Sequence, residues 1–336
     1  MRKFRLSCLL AVTFLIPAAG AVAADAAPDA AGQGFVPLYD GKDLKGWEVQ
    51  NGSISAWKAD GPILSCIKKG GGWLRTAKLY SDFVLKVDWR IPPDGNSGVG
   101  LRFPSKGDPA HVGMEIQILD DDAKVYKEMH LVPAQQTGSI YYQVPARQGA
   151  AKPANEWNSY EITCLGPRVK VVLNGQVVTD ADVDQSTKGA GGHKPLADRP
   201  KIGHVGLQSH ETRVDFRNIE IKDLTTLTPS GLRYVDLVTG TGPVVPPDAT
   251  VEGQFTGSLV DGTKFEDSRS GSAATKMPLS GLIPGLREGI AGMKVGGRRK
   301  LIIPPELGFG AKGRPGRIPP DAILVFDIEV TKLVSK

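Results

Sequence analysis

The alternation of apolar and polar positions divides this chain into two unlike regions. From residue 35 to 223, short runs repeat with a period of two, the mark of half-buried strands. In FVLKVDWRI, Phe83, Leu85, Val87 and Trp89 share one face against Lys86, Asp88 and Arg90. MEIQIL sets Met114, Ile116 and Ile118 against Glu115 and Gln117, and HVGLQSH sets Val205 and Leu207 against Gln208 and His210. VKVVLNGQVV reads as two strands joined by Asn174-Gly175, a strong two-residue hairpin signal. VDFRNIEI adds another strand, and the region contains neither an internal repeat nor a long amphipathic helix. Many short strands with one apolar face predict an all-β sandwich of antiparallel sheets.

The pattern breaks at KDLTTLTPSGLRY, which places a linker at 225–228 between a first domain, 35–224, and a second, 229–336. The second domain mixes element types. VEGQFTGSL alternates Val251, Phe255 and Leu259 with Glu252, Gln254 and Thr256, and Asp261-Gly262 then makes a turn. PGLREGIAGM predicts a short helix, with Pro284 at its start and Leu286, Ile290 and Met293 at i, i+4 and i+7. RRKLII reads as a strand. A Pro/Gly-rich flap over 310–320 follows, and a closing strand carries Leu324, Phe326, Ile328 and Val330 on one face. One short helix against an antiparallel sheet is an α+β layout.

The first residues change where the protein is expected to work. Arg2, Lys3 and Arg5 precede an apolar run from Leu6 to Ile16, and small residues follow to Ala23-Ala24. This is the pattern of a secretory signal peptide over 1–24, too short to span a bilayer as a mature helix. Export to the periplasm or beyond is expected, with a flexible Ala/Gly/Asp-rich segment at 25–34. The signal carries three of the excess positive charges. Beyond it, residues 25–223 hold 24 basic against 25 acidic residues, and 224–336 hold 14 against 11. Neither region is a nucleic-acid-binding surface by composition. Cys66 and Cys164 remain after cleavage, either as a disulfide or as two buried thiols. The Asp120-Asp121-Asp122 run fits a Ca²⁺ site or a solvated loop, and no His/Cys cluster suggests a metal or other cofactor.

If the apolar faces pack inward, the polar faces gather chemistry. Glu115, Gln117, Gln208 and His210 then point outward, joined by Arg102 from GNSGVGLR, whose glycines clear space nearby. A carboxylate, amides, guanidinium and imidazole suit a hydroxyl-rich ligand; an ordinary solvated sheet face fits the same residues. LYDGKDLKGWE, GNSGVGLR, MEIQILDD, NEWNSYEI, LNGQVV and GHVGLQSHETRVDFRNIEIKDL resemble, in order, the 3-keto-disaccharide hydrolase family over about 35–224. The resemblance implies a concanavalin-like jelly roll and a site for 3-keto-glycosides, or glycan binding alone. A 3-keto group acidifies the C2 proton, so His210 or Glu115 would be the base. Arg102 or Gln117 would hold the keto oxygen.

FTGSLVDGTKFEDS, MPLSGLIPGLREGIAGMKVGGRRKLIIPPELGFG and IPPDAILVFDIEVTKL closely resemble the FKBP-type peptidyl-prolyl cis-trans isomerases over about 229–334. The resemblance implies a curved antiparallel sheet wrapping a short helix, with a proline pocket between them. Its walls would be Phe255, Phe265, Leu282, Ile283, Leu286, Phe309, Ile318 and Phe326. The Ile283 N–H would grip a substrate carbonyl, and Glu266 would stand at the family's acidic position. The family commonly has Tyr at the positions of Phe255 and Phe309, Asp at Glu266 and Trp at Leu286. The two readings together leave two functions open. One is an exported isomerase that helps proline-containing polypeptides fold, fused to a sugar-active or glycan-binding sandwich. The other is a 3-keto-glycoside-cleaving enzyme with an accessory isomerase domain.

Overall fold

In a computed structural model the described residues are 34–271 and 273–334. The expected signal peptide, and the 25–34 segment up to residue 33, lie outside them. The first region forms two antiparallel sheets packed face to face. One has eight strands, with the order 176–182, 168–173, 158–165, 83–90, 214–223, 63–66 and 57–60 and a short 36–37 strand added on 214–223. The other has five, ordered 47–50, 73–76, 204–208, 96–103 and 114–119. Alternation places the core: Phe83, Leu85, Val87 and Trp89 of the long sheet meet Val99, Leu101, Ile116, Ile118, Val205 and Leu207 of the short one.

Both cysteines are buried and free. Cys66 and Cys164 lie on strands 63–66 and 158–165, separated by strands 214–223 and 83–90 in the same sheet. Three inter-strand steps of roughly 4.8 Å exceed the reach of a disulfide. Burial pushes the Cys164 thiol up to about 11. The three aspartates at 120–122 are each engaged: Asp120 accepts from the Asp94 N–H, Asp121 from the Thr137 N–H, and Asp122 pairs with Lys127 at 2.9 Å. No metal-holding group of three or more His, Cys, Asp or Glu occurs among the described residues.

The second region is a seven-stranded antiparallel sheet ordered 226–227, 233–238, 298–303, 324–334, 250–259 and 264–267, with 275–278 also on 250–259. The helix Pro284–Ile290 lies on its concave face. Gly285 and Gly289 let it approach closely. A Cβ at either would come within 2.5 Å of Ile303 or Leu301 side chains. Leu301, Ile303, Leu324, Phe326 and Ile328 form the core beneath the helix.

The alternate residues of the same strands are buried too, because the sandwich covers the convex face. Ile302 and Val325 pack against Ile202 of the sandwich, flanked by Leu79, Val260 and Ile323. Beside them Lys300, 2% exposed, places its ammonium 2.9 and 3.0 Å from the two carboxylate oxygens of Asp82. Asp82 also accepts from the Gly166 N–H at 2.6 Å and the Ser81 hydroxyl at 2.6 Å. Arg102 completes this cluster rather than facing a ligand. It is fully buried, and its guanidinium donates to the Ser81 and Gly166 carbonyls, 3.5 Å from Asp82. Its backbone explains the departure from expectation. Arg102 has φ +50° where the pairing of 96–103 with 204–208 slips, a bulge that turns the side chain off the sheet's regular alternation. A second bridge crosses the seam where Arg298 reaches both Asp327 and, at 3.9 Å, Asp184 of the sandwich. The connecting segment is itself held, since the Leu224 N–H donates to the Asp82 carbonyl and Arg233 pairs with Asp223.

Burial alone would raise the Asp82 pKa; Lys300 and Arg102 outweigh it and hold the carboxyl below its ordinary 3.8. The stabilisation contributed by the Asp82 carboxylate is therefore complete above about pH 4 and is lost as pH falls through the lower folded value, while burial lowers the pKa of Lys300. Lys300→Met strands part of that charge in the seam and is expected to cost about 3–5 kcal/mol, measured by urea unfolding at neutral pH. Adding Asp82→Asn should recover part of the loss. An unchanged midpoint in Lys300→Met would contradict a buried pair.

Candidate functional site

Two concave sites emerge, one in each region. In the sandwich, strands 96–103 and 114–119 pair so that Gly98 stands opposite Gln117, while Leu207 stands opposite Val99 on the other side. Gln208, Gly98 and Gln117 thus form a row across three strands, with no side chain at its centre. The Glu115 carboxyl fills that gap: a Cβ on Gly98 would lie 1.9 Å from Glu115 Oε1. Glu115 is 2% exposed, and its Oε1 and the Oε1 of Gln208 are buried without a hydrogen-bond partner. Burial, with Asp108 adding to it, pushes the Glu115 pKa well above the ordinary 4.5.

The outward face is therefore covered rather than solvated. Residues 133–144 run along the edge strand, with the Tyr141 N–H donating to the Glu115 carbonyl and the Gln117 and Gly138 backbones bonding Ser139 and Gln117. What remains open is a cleft of about 510 Å³ whose polar lining includes Asn96, Gln117, Tyr126, Gln135, Tyr141 and His210. Gln117 donates to Asn96 Oδ1 at 3.3 Å, and Gln135 to the Tyr141 hydroxyl at 3.3 Å. The apolar Leu119, Val125, Met129 and Leu131 form the rest of the wall. Of the five residues expected here, Gln117 and the exposed His210 line the cleft. Glu115 and Gln208 lie along the same sheet face, and Arg102 lies at the domain seam. Tyr126, Gln135 and Tyr141 carry no signal in the sequence, because they come from a five-residue helix, a single 3-10 turn and the loop after it, all too short to show a periodicity.

In the second region the aromatic residues meet as a stack on the concave face. Phe265 and Phe326 have ring centroids 5.5 Å apart at 75°, and Phe255 lies 6.3 Å from Phe326. Gly257 makes this possible, since a Cβ there would come within 2.7 Å of the Phe265 ring. Phe265, Phe326 and Ile318 are buried, whereas Phe255, Leu282, Ile283, Leu286 and Phe309 are half-exposed over the same core. Phe255, Leu282 and Leu286 wall an apolar cavity of about 220 Å³ that continues to Met277, Ile290 and Ile328. Ile283 precedes the helix in extended backbone and accepts from the Arg287 N–H. Glu266 follows Phe265 and is half-buried. The flap closes as a tight loop: Arg314 and Ile318 exchange backbone hydrogen bonds at 2.7 and 2.8 Å, with Ile318 as the buried anchor. Arg317 donates to the Phe265 carbonyl, which ties the flap to the aromatic stack.

Comparison with known proteins separates along the same division. The family model described as 3-keto-alpha-glucoside-1,2-lyase-like domain matches residues 34–222, and that of FKBP-type peptidyl-prolyl cis-trans isomerase matches 242–331. A crystal structure reported as a glycosyl hydrolase from Parabacteroides distasonis is 28% identical, with a TM-score of 0.52 over 57% of this chain and 100% of that one. Drosophila melanogaster Fkbp12 is 39% identical over 106 residues, 31% of this chain and 98% of that protein. Escherichia coli FkpA is 32% identical over 154 residues, covering 46% of this chain and 57% of FkpA. The chain spans only 28% of the longer Dictyostelium discoideum FK506-binding protein 4, at 41% identity.

A raised folded pKa at Glu115 has a testable sign. The folded state holds that proton more tightly than the unfolded chain, so stability falls as pH rises above 4.5 toward the folded value. Glu115→Gln removes the penalty. Melting temperatures of the variant and the natural chain should agree near pH 4, and the variant should melt higher at pH 7.5. A variant that melts lower at pH 7.5 than at pH 4, in parallel with the natural chain, would mean that Glu115 is not the group responsible.

Proposed function

We propose that this chain, which belongs to the 3-keto-alpha-glucoside-1,2-lyase-like family through its sandwich and to the FKBP-type peptidyl-prolyl cis-trans isomerases through its C-terminal domain, is an exported prolyl isomerase joined to a saccharide site. The domains divide at 225–228 in this reading. Export rests on the basic, apolar and small-residue pattern of residues 1–24. No described helix is long and apolar enough to cross a membrane.

The apolar cavity beside the Phe255–Phe326–Phe265 stack is the observation that carries the isomerase reading. Rotation about an X-Pro bond must cross a barrier of about 18–20 kcal/mol, set by amide resonance. The planar amide is more dipolar than the twisted one. A dry aromatic pocket therefore disfavours the starting state, while a positioned donor holds the strained carbonyl. Phe255, Phe265, Leu282, Leu286, Phe309, Ile318 and Phe326 supply the dry surface. The Ile283 N–H, at the turn into the helix, is the donor. Leu286 stands where the family carries a larger ring, and the cavity beneath it gives the proline ring a deeper floor. The substrates are proline-containing polypeptides.

The sandwich carries a second reading, supported by the Glu115 carboxyl set between Gln117 and Gln208. Elimination from a 3-keto-glycoside moves the C2 proton to a base, forms the C1–C2 double bond and releases the C1 oxygen, which takes a proton. The exposed His210 suits the base. Glu115, whose burial makes its carboxyl hold a proton more tightly than an ordinary glutamate, suits the acid, and Gln117 holds the keto oxygen. Arg102 has no part in it.

Phe309→Tyr adds one hydroxyl at the flap and is expected to raise the isomerisation rate on an X-Pro peptide, with a melting temperature nearly unchanged. Phe326→Ala should abolish isomerisation and destabilise by about 3–5 kcal/mol. A large stability loss in Phe309→Tyr without a rate change would place Phe309 in the core, away from substrate. For the sandwich, Glu115→Ala with His210→Ala should abolish cleavage of a 3-keto-glycoside or glycan binding in a folded chain; survival of a demonstrated activity would place the site elsewhere.

A further inference from the structure

The flap beside the aromatic stack, the rim of the proposed proline site, is charged with one sign. Over 308–320 the flap carries Lys312, Arg314 and Arg317 and no acidic residue. All three are exposed. Two of them reach the aromatic residues directly: the Arg314 guanidinium lies 5.9 Å from the Phe309 ring centroid, and Arg317 donates to the carbonyl of Phe265. Lys312 and Arg314 have no ion-pair partner among the described residues, unlike Arg298 and Lys300 on the other side of the sheet. The acidic groups around these cations are Glu266, Glu306 and Asp321. These lie one residue after Phe265, before the flap and at its end, so they do not interleave with the cations.

We propose that this rim selects acidic polypeptide segments, so that the isomerase acts preferentially on prolines flanked by Asp or Glu. The proposal rests on the isomerase reading above and specifies its substrate class. The apolar pocket holds the proline ring but reads nothing of its neighbours. A carboxylate on an adjacent residue leaves the pocket at the rim, where a guanidinium can take it in a paired geometry. Unpaired cations around a low-dielectric cavity also draw anionic segments toward it before contact.

The test uses the full chain and two sets of proline peptides, with Glu, Leu or Lys either preceding or following the proline. Isomerisation is followed at low and at high salt. In at least one placement kcat/KM for the Glu peptide should exceed that for the Lys peptide by about five-fold or more at low ionic strength. The ratio should fall toward unity at 1 M salt, where the Debye length is about 3 Å. Arg314→Glu combined with Lys312→Glu should invert the low-salt ratio, with the Leu peptide of each protein as its own reference. Equal Glu and Lys rates in the natural chain, or a ratio unmoved by the double substitution, would overturn charge selection while leaving the isomerase intact. A natural chain inactive on every peptide, Leu included, would overturn the isomerase reading itself.

Discussion

The contact between Lys300 and Asp82 decides what kind of molecule this is. Taking an ammonium and a carboxylate out of water costs several kcal/mol per ion unless the geometry and the surrounding hydrogen bonds compensate. Here Asp82 receives Lys300, the Gly166 N–H and the Ser81 hydroxyl together, with Arg102 behind it. That degree of satisfaction exists only when the two regions are docked. Separating them would expose Ile302 and Val325 and leave Asp82 without its nearest cation. The seam is thus an apolar contact with a buried, hydrogen-bonded charge pair set into it.

Docking on the convex face has a consequence for both sites. Lys300, Ile302 and Val325 point to the sandwich, while Leu301, Ile303 and Phe326, their neighbours in sequence, point to the aromatic pocket. One sheet therefore separates the seam from the proposed isomerase site, which keeps its opening under the flap. On the sandwich, the cleft around Gln117 and His210 lies beside 114–119, at the opposite edge of the five-stranded sheet from 47–50. Neither opening is used to join the domains, so the fusion leaves both concave surfaces available for large ligands.

Much of this was legible from alternation alone. Phe83 to Trp89, Met114 to Ile118 and Leu324 to Val330 face the cores because a period of two leaves no other choice once one face is apolar. The aromatic stack followed from Phe265 after a turn and Phe326 on the closing strand. The misplacements have particular causes. Arg102 was read by its strand position, but a bulge with φ +50° turned it into the seam. Alternation turns Glu115 outward, which it is, yet its carboxyl lies in the space above Gly98 and is buried there. Lys300 sits in RRKLII among ordinary strand polar residues, and nothing local marks it as buried. Its environment comes from a surface more than two hundred residues earlier in the chain.

The docked arrangement is most directly tested by a distance distribution between spin labels, one on each region, in the intact chain. Lys124 and Lys332 are well exposed, with side chains 88% and 66% accessible, and Cys66 and Cys164 are buried, so labels can be placed at these two lysines through introduced cysteines. The account predicts one narrow distance peak at neutral pH that is unchanged by high salt, because the seam is buried and packed rather than held by surface charge. A broad or multi-peaked distribution at neutral pH would mean that the regions move as tethered bodies, and the buried Lys300–Asp82 contact would not be what joins them.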